Sequence, residues 1–345
     1  MNTPAAEPQF SLGLPVEIGR IDHELKKLWT DGEGAMTRAS LMNLVVYSEE
    51  AGSLARNTQL VSELTENHAC RAIVVAANRK AKVDRAEAWI SAHCHVHSGA
   101  KQVCSEQISF LLEGARLLPS IVFSQLDSDL PLYLWWQSEF AEPMDAQLWA
   151  WVDRLIYDSQ AWRDFDAQMR LVETAQRDAK HRIILCDLNW TRLVHFRLAF
   201  AQFFDPPASH HHFREITAIA LMHARGYRST ALLFLGWLAS QLDWEVRDKP
   251  FAFQNRDGKT ISIALTEAGE FPLSLFTAHS GDVEFRIARA SCGDLLEVGR
   301  SPRDGERSLL PASDDSPVKL MSEELMRGGS RQIYRCAVEK MRGLL

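Results

Sequence analysis

The chain has 345 residues, 46% hydrophobic and 24% charged, with a formal net charge of −7. That length suits two domains, and the balance is that of a folded globular protein. The acidic excess argues against nucleic acid and against an anionic membrane surface, both of which are held by basic faces.

Residues 1–14 read as a flexible arm. Ile18, Ile21, Leu25, Leu28 and Trp29 then share one face at helical spacing, ending near Asp31-Gly32. Ser40 to Tyr47 is rich in strand formers, Ser53 to Asn67 reads as a helix, and Cys70 to Ala77 is a continuous apolar run of strand length. Such a run suits a strand buried on both faces of an α/β sheet. Glu87 to His97 alternates, with Ala88, Ile90, Ala92, Cys94 and Val96 on one side and Trp89, Ser91 and His93, His95 and His97 on the other. Lys101 to Leu111 continues the alternation, so the two stretches form an antiparallel pair across Ser98-Gly99. Ala115 to Leu126 is predicted helical and Leu130 to Trp136 a buried strand that tolerates Pro131 at its start. Met144 to Ile156 is predicted as a helix anchored by Leu148, Trp151 and Leu155. Alternation of helix and buried strand predicts a doubly wound α/β sheet with helices on both faces over residues 15–170.

Residues 171–345 have a different texture. A strand is expected at Ile183 to Leu188, then a long helix capped by Asn189 and stopped by Pro206-Pro207. Glu215 to His223 reads as a strand and Arg228 to Leu242 as a very apolar helix. From Trp244 to Arg300 the runs alternate around Asp257-Gly258 and Ser280-Gly281-Asp282, which is hairpin patterning. Met321 to Leu345 is helical, interrupted at Gly328-Gly329. The expectation is an α+β domain built on an antiparallel meander.

The longest apolar run, Ala231 to Ala239, is about half the ~20 residues of a spanning helix. Met1 to Phe10 carries Glu7 and no Lys or Arg, unlike a secretory signal, so the expected location is cytoplasmic. Six cysteines stand at 70, 94, 104, 186, 292 and 336, too far apart for CxxC redox or zinc-ribbon spacing. Cys94 and Cys104 face one another across the predicted hairpin, where a bridge is open in principle. The expected reducing compartment favours two buried thiols instead.

Motifs for chemistry are missing. Gly32 and Gly34 begin a dinucleotide fingerprint that fails at Thr37, His23-Glu24 begins a metalloprotease helix that fails at Lys27, and there is no P-loop or GxSxG elbow. Asp127-Ser128-Asp129 starts like a calcium loop, but Leu132 and Ser138 occupy the glycine and glutamate positions. No cofactor is therefore expected. His93, His95 and His97 share a strand face as a zinc pair would, and His210, His211 and His212 are consecutive, yet neither set has a supporting cluster, so polar surface is the favoured reading. Arg71 and Asp127 or Asp129 stand at strand starts and would pair structurally at one sheet edge. Ligands of open α/β sheets bind at the opposite, carboxyl edge, which makes Trp136, Gln137 and Glu139 the candidate partner contacts. Arg286, Arg289, Arg300 and Arg303 read as a solvated face rather than a phosphate site.

Three segments carry a resemblance. They are His68 to Val75, Ala92-His93-Cys94 followed by Val103 to Ile108, and Leu118-Pro119-Ser120-Ile121-Val122 leading into Asp129-Leu130-Pro131-Leu132-Tyr133-Leu134-Trp135-Trp136. Together they resemble the glucose-6-phosphate dehydrogenase assembly proteins, the OpcA family, over residues 40–160, with a weaker echo at Leu235 to Ala239. The resemblance implies a non-catalytic partner that binds glucose-6-phosphate dehydrogenase, promotes its active oligomer and supports NADPH supply through the oxidative pentose phosphate pathway. It brings no catalytic residues. The alternatives are a sugar-phosphate enzyme with a site at the Trp136 edge, and a metal- or redox-sensing protein using His93, His95, Cys94 and Cys104.

Overall fold

The structure is a computed structural model, in which residues 12–30, 36–97, 101–114, 118–142, 146–179, 181–247, 251–301, 307–327 and 332–345 are described. The chain divides into two compact units. One takes the residues up to Tyr157 together with Ala167–Cys186, and the other takes Asp158–Asp166 and Asp187–Leu345.

The first unit contains, in chain order, β1 (Leu14–Val16), α1 (Ile21–Thr30), β2 (Met36–Arg38), β3 (Asn43–Ser48), α2 (Ser53–Thr65), β4 (Arg71–Asn78), β5 (Arg85–His97), β6 (Lys101–Glu113), α3 (Leu118–Ser124), β7 (Leu132–Trp136), α4 (Ala146–Trp149), β8 (Arg154–Tyr157), α5 (Phe165–Asp178) and β9 (Ile184–Asp187). The sheet order is β1-β5-β6-β4-β3-β7-β8-β9, with β2 beside β6. From β6 through β4, β3 and β7 to β8 every pairing is parallel, while β5 pairs antiparallel with both β6 and β1. The chain builds outward from β3 on one side through β4 and β6, then returns to place β7 on the other side. That is the doubly wound arrangement expected from the sequence, and its switch point lies between β3 and β7. Continuous apolar strands are the physical cause: Leu44 to Tyr47 and Ala72 to Ala77 are buried throughout, because helices cover both faces.

The predicted helix at Met144 to Ile156 is corrected. Of its described residues only Ala146–Trp149 are helical, and Arg154–Tyr157 joins the sheet parallel to β7. Leu148, Trp151 and Leu155 fit helical spacing, but Asp153 breaks the run. Its carboxylate accepts from the Leu132 N–H and its carbonyl from Ile184 N–H, pinning the strand start. Of the expected arm, residues 1–11 lie outside the described residues, and Leu14 opens an edge strand on β5.

The second unit contains α6 (Leu188–Arg192), α7 (Val194–Gln202), α8 (His212–Glu215), β10 (Ile216–His223), α9 (Arg228–Leu242), β11 (Glu245–Arg247), β12 (Ala252–Gln254), β13 (Thr260–Glu267), β14 (Leu275–Ser280), β15 (Val283–Arg289), β16 (Leu295–Ser301), β17 (Ser308–Pro311), α10 (Pro317–Met326) and α11 (Gln332–Arg342). Its sheet runs β11-β12-β13-β10-β14-β15-β16-β17. Only β10 and β13 pair in parallel, and β14 to β17 form the expected meander. Rings of α7 and α9 cover one sheet face: Phe200 and Phe234 both meet Phe276, edge-on. Thr230 to Ala239 of α9 are buried on every side because α11 packs against its outer face. Gly236 makes that approach possible, since a β-carbon there would lie 2.3 Å from the Ala337 carbonyl oxygen. The predicted cap of the helix after β9 is corrected from Asn189 to Asp187, whose carboxylate accepts the Asn189 N–H.

Candidate functional site

The switch point of the first unit is where an open α/β sheet binds ligands. Here the β3–α2 turn reads Ser48-Glu49-Glu50-Ala51-Gly52, and Gly52 caps α2 in the left-handed conformation, φ 77°, without a side-chain bond. A dinucleotide needs glycines and exposed N–H groups against its pyrophosphate. Two carboxylates stand in the turn instead. Glu49 N–H is taken by Ser138 Oγ at 2.8 Å, Tyr47 Oη donates to Glu49 Oε1 at 2.8 Å, and Arg79 lies 3.6 Å from the same oxygen. Arg56 grips Glu50 through two hydrogen bonds and holds its carboxyl below the usual range. Burial, reinforced by the Glu49 charge, raises the Tyr47 phenol.

Gln137 and Asn57 exchange amide hydrogen bonds of 2.9 and 3.1 Å, tying the end of β7 to α2. Trp136 is buried, with Tyr47 at 4.0 Å between ring centroids and Phe140 stacked at 5.4 Å. It is therefore core, and the surface at this edge is provided by the half-buried Gln137 and Glu139. The crevice is stitched by the protein's own side chains. Ser138 falls within the Trp136–Glu139 edge expected from sequence, whereas Asn57 was missed because it sits inside α2 and in no motif.

At the opposite, amino edge the expected parallel strands do bring Arg71 and the Asp127 turn together, but Arg71 turns to other partners. Its guanidinium donates to Glu106 Oε2 at 2.7 Å and to the Gln125 carbonyl at 2.6 Å. Glu106 is 1% exposed and also accepts from Trp29 Nε1 at 2.7 Å and Arg38 Nε at 3.0 Å, so one carboxylate fastens α1, β2 and β4. The Asp127 carboxylate accepts the Asp129 N–H, and Asn43 braces the turn by bonding its backbone on both sides.

Cys94 and Cys104 are bridged by a disulfide, directly opposite one another in the β5–β6 register. This corrects the expectation of two thiols: cross-strand neighbours already place the sulfurs within bonding reach, and compartment chemistry was the only argument against it. Cys70 is a buried thiol pushed up to about 12, hence unreactive. His93 bonds Gln107 and His95 bonds Thr65, each ring held by a separate partner, while the His97 side chain lies outside the described residues. Burial lowers His93, which keeps it neutral.

In the second unit His211, His212 and Glu215 place potential ligand atoms within 4.8 Å of one another. Both ring nitrogens of His212 are already used, however, Nδ1 by Ser280 and Nε2 by Arg300, whose positive charge beside the ring disfavours a cation. Arg289 is likewise spent on the Gly293 and Ser313 carbonyls, and Arg303 lies outside the described residues. The densest polar cluster here centres on Asp187. Its fully buried carboxylate accepts from Ser159 N and Oγ, Asn189 N and Tyr334 Oη, at 2.6–3.0 Å. Burial first, and the Asp158 charge second, push it up to about 6. Next to it Arg192 bonds Asp158 at 2.8 Å and also Asp315, to which Tyr227 donates at 2.6 Å.

These features define a two-unit α/β protein whose first sheet has the doubly wound strand order and whose switch point is filled by its own carboxylates and amides. Residues 61–174 match the family described as the glucose-6-phosphate dehydrogenase subunit N-terminal domain, and residues 184–338 match the corresponding C-terminal domain. The chain belongs to the glucose-6-phosphate dehydrogenase assembly, or OpcA, family, as its motifs indicated.

Among curated relatives, OpcA proteins named for the OxPP cycle match at 24% identity in Synechocystis, over 72% of this chain and 58% of that one, and at 28% in Nostoc punctiforme, over 60% and 44%. In Synechococcus elongatus the figures are 26%, 95% and 78%. The chain thus spans about half the length of the first two relatives. Among solved structures, an aldose-aldose oxidoreductase from Caulobacter crescentus aligns at 7% identity and TM-score 0.47, over 89% of this chain and 95% of that one. Gal80p from Saccharomyces cerevisiae aligns at 8% and 0.45, over 83% of each. No helix among the described residues is long and apolar enough to cross a membrane.

Proposed function

We propose that this chain is a non-catalytic assembly factor and allosteric activator of glucose-6-phosphate dehydrogenase, acting in the cytoplasm and supporting NADPH supply through the oxidative pentose phosphate pathway. The observation that carries this reading is that family descriptions of a dehydrogenase subunit match both halves of the chain, at 61–174 and 184–338. The stitched switch point supports it. Glu49 and Glu50 oppose a pyrophosphate where a dinucleotide-dependent enzyme would seat one, and Ser138, Asn57 and Gln137 spend their polar groups on each other and on the turn.

An activator shifts its partner only by the difference in its affinity for the active and inactive states. It therefore needs a specific interface, of at least about 1,000 Å². The carboxyl edge at Gln137 and Glu139, braced from beneath by Trp136, is the contact this reading assigns to the dehydrogenase.

The test mixes purified chain with the dehydrogenase of the same organism, and reads the mass of the eluting species by light scattering. Co-elution at higher mass, weakened by Glu139→Arg with no change in melting temperature, supports the proposal. Separate elution in both reduced and oxidised buffer overturns it.

A further inference from the structure

The sheet of the second unit has two unlike faces. Helices α7 and α9 cover the side that carries Phe276, Phe285 and Leu296, all fully buried. The register places Ala264, Ala220, Thr277, Arg286 and Gly299 side by side in one row across the other face. Along β13 Thr260, Ser262, Ala264 and Thr266 are exposed and alternate with Ile261, Ile263 and Leu265, which are more buried. Apart from Arg286 the side chains of this row are small, so the middle of the face is low between flanking rows that carry His279 and Glu284 on one side and Met222, Leu275 and Glu297 on the other. The small side chains let a second layer approach to the ~10 Å at which sheets pack.

Arg286 stands in the middle of this surface, exposed and with no ion-pair partner among the described residues. Glu284 and Glu297 rise from the same face on its two sides, set against His279 at 3.6 Å and Arg307 at 3.0 Å. The face therefore offers both signs of charge to whatever covers it.

We infer that the occupant is a second copy of this chain, packed face to face through this sheet about a two-fold axis. An isologous contact requires a self-complementary patch, and this one supplies an uncommitted guanidinium together with carboxylates around a central row of otherwise small side chains. Its size also suffices. The five strands from β13 to β16 along the sheet, about 4.8 Å apart and about 20 Å long, present roughly 500 Å², so two copies cover about 1,000 Å² or more. The inference stands apart from the dehydrogenase reading, since it concerns a different surface and uses this chain alone.

The test is the mass of the full chain by light scattering over a concentration series, for wild type, Ala264→Arg and Arg286→Glu. Both substituted residues are exposed, so each variant should keep the wild-type circular dichroism and melting temperature at low concentration. The expected result is a species of twice 39.0 kDa for wild type, with dimer affinity at least tenfold weaker in each variant. A wild-type monomer throughout overturns the inference, as does a dimer indifferent to both substitutions. A monomer whose capture by the dehydrogenase is lost in the same variants also overturns it, and gives the face to the dehydrogenase instead.

Discussion

Asp187 offers a sharp test of the polar centre in the second unit. Its carboxyl titrates at about 6 in the folded chain against an ordinary 3.8, because burial and the neighbouring Asp158 disfavour the charged form. The folded state therefore holds a proton that the unfolded chain releases between these values. Stability from this residue is greatest in acid and is lost as pH rises through about 6. The gap, at about 1.4 kcal/mol per pH unit, amounts to about 3 kcal/mol, with roughly half of it falling between pH 5 and 7.5. Asp187→Asn removes the titration while leaving the cap intact. Its Oδ1 still accepts from Ser159 N–H and Asn189 N–H, and its amide faces the Ser159 and Tyr334 hydroxyls, which rotate to accept. Urea unfolding of both proteins at pH 5 and 7.5 should show the variant gaining about 1–2 kcal/mol relative to wild type at the higher pH. Parallel stability curves would refute the assignment of a raised, buried carboxyl.

Three further outcomes are expected. Glu106→Ala leaves Arg71 buried without its carboxylate and should cost about 3–5 kcal/mol, read as a lowered urea midpoint. Reducing the Cys94–Cys104 bridge, or replacing both cysteines by serine, should cost about 2–3 kcal/mol, the value for a loop of about ten residues, with the thermal midpoint as readout. Gly236→Ala drives a methyl into the Ala337 carbonyl and should destabilise by about 1–3 kcal/mol, visible as faster hydrogen exchange in α11.

Much of the architecture was legible because burial on two faces writes itself as apolar runs. A stretch such as Leu44-Val45-Val46 needs no other signal: Asn43–Ser48, Arg71–Asn78 and Leu132–Trp136 fell where their composition placed them, and the β5–β6 hairpin followed from period-two alternation. Short elements were less legible. Ala146–Trp149 and Arg154–Tyr157 merged into one apparent helix, since two apolar pieces of four residues can mimic a three-turn period. The chain's exchange of segments between units at Asp158–Asp166 and Ala167–Cys186 left no compositional mark. Side-chain partners were the least readable layer. Arg71 was placed at the correct edge, but Glu106 reaches it from a strand thirty-five residues away, a pairing that only the β4–β6 register reveals. For the same reason the stitched switch point was invisible: Asn57 and Gln137 lie eighty residues apart.

The central claim is that this chain acts on glucose-6-phosphate dehydrogenase rather than performing chemistry of its own. The most direct measurement is the initial rate of that enzyme, from the same organism and at limiting glucose 6-phosphate, titrated with purified chain. The account predicts a saturable rise in rate or apparent substrate affinity that levels off near a fixed stoichiometry, with no turnover by the chain alone. A flat titration, or turnover of sugar phosphate by the chain without the dehydrogenase, would contradict it.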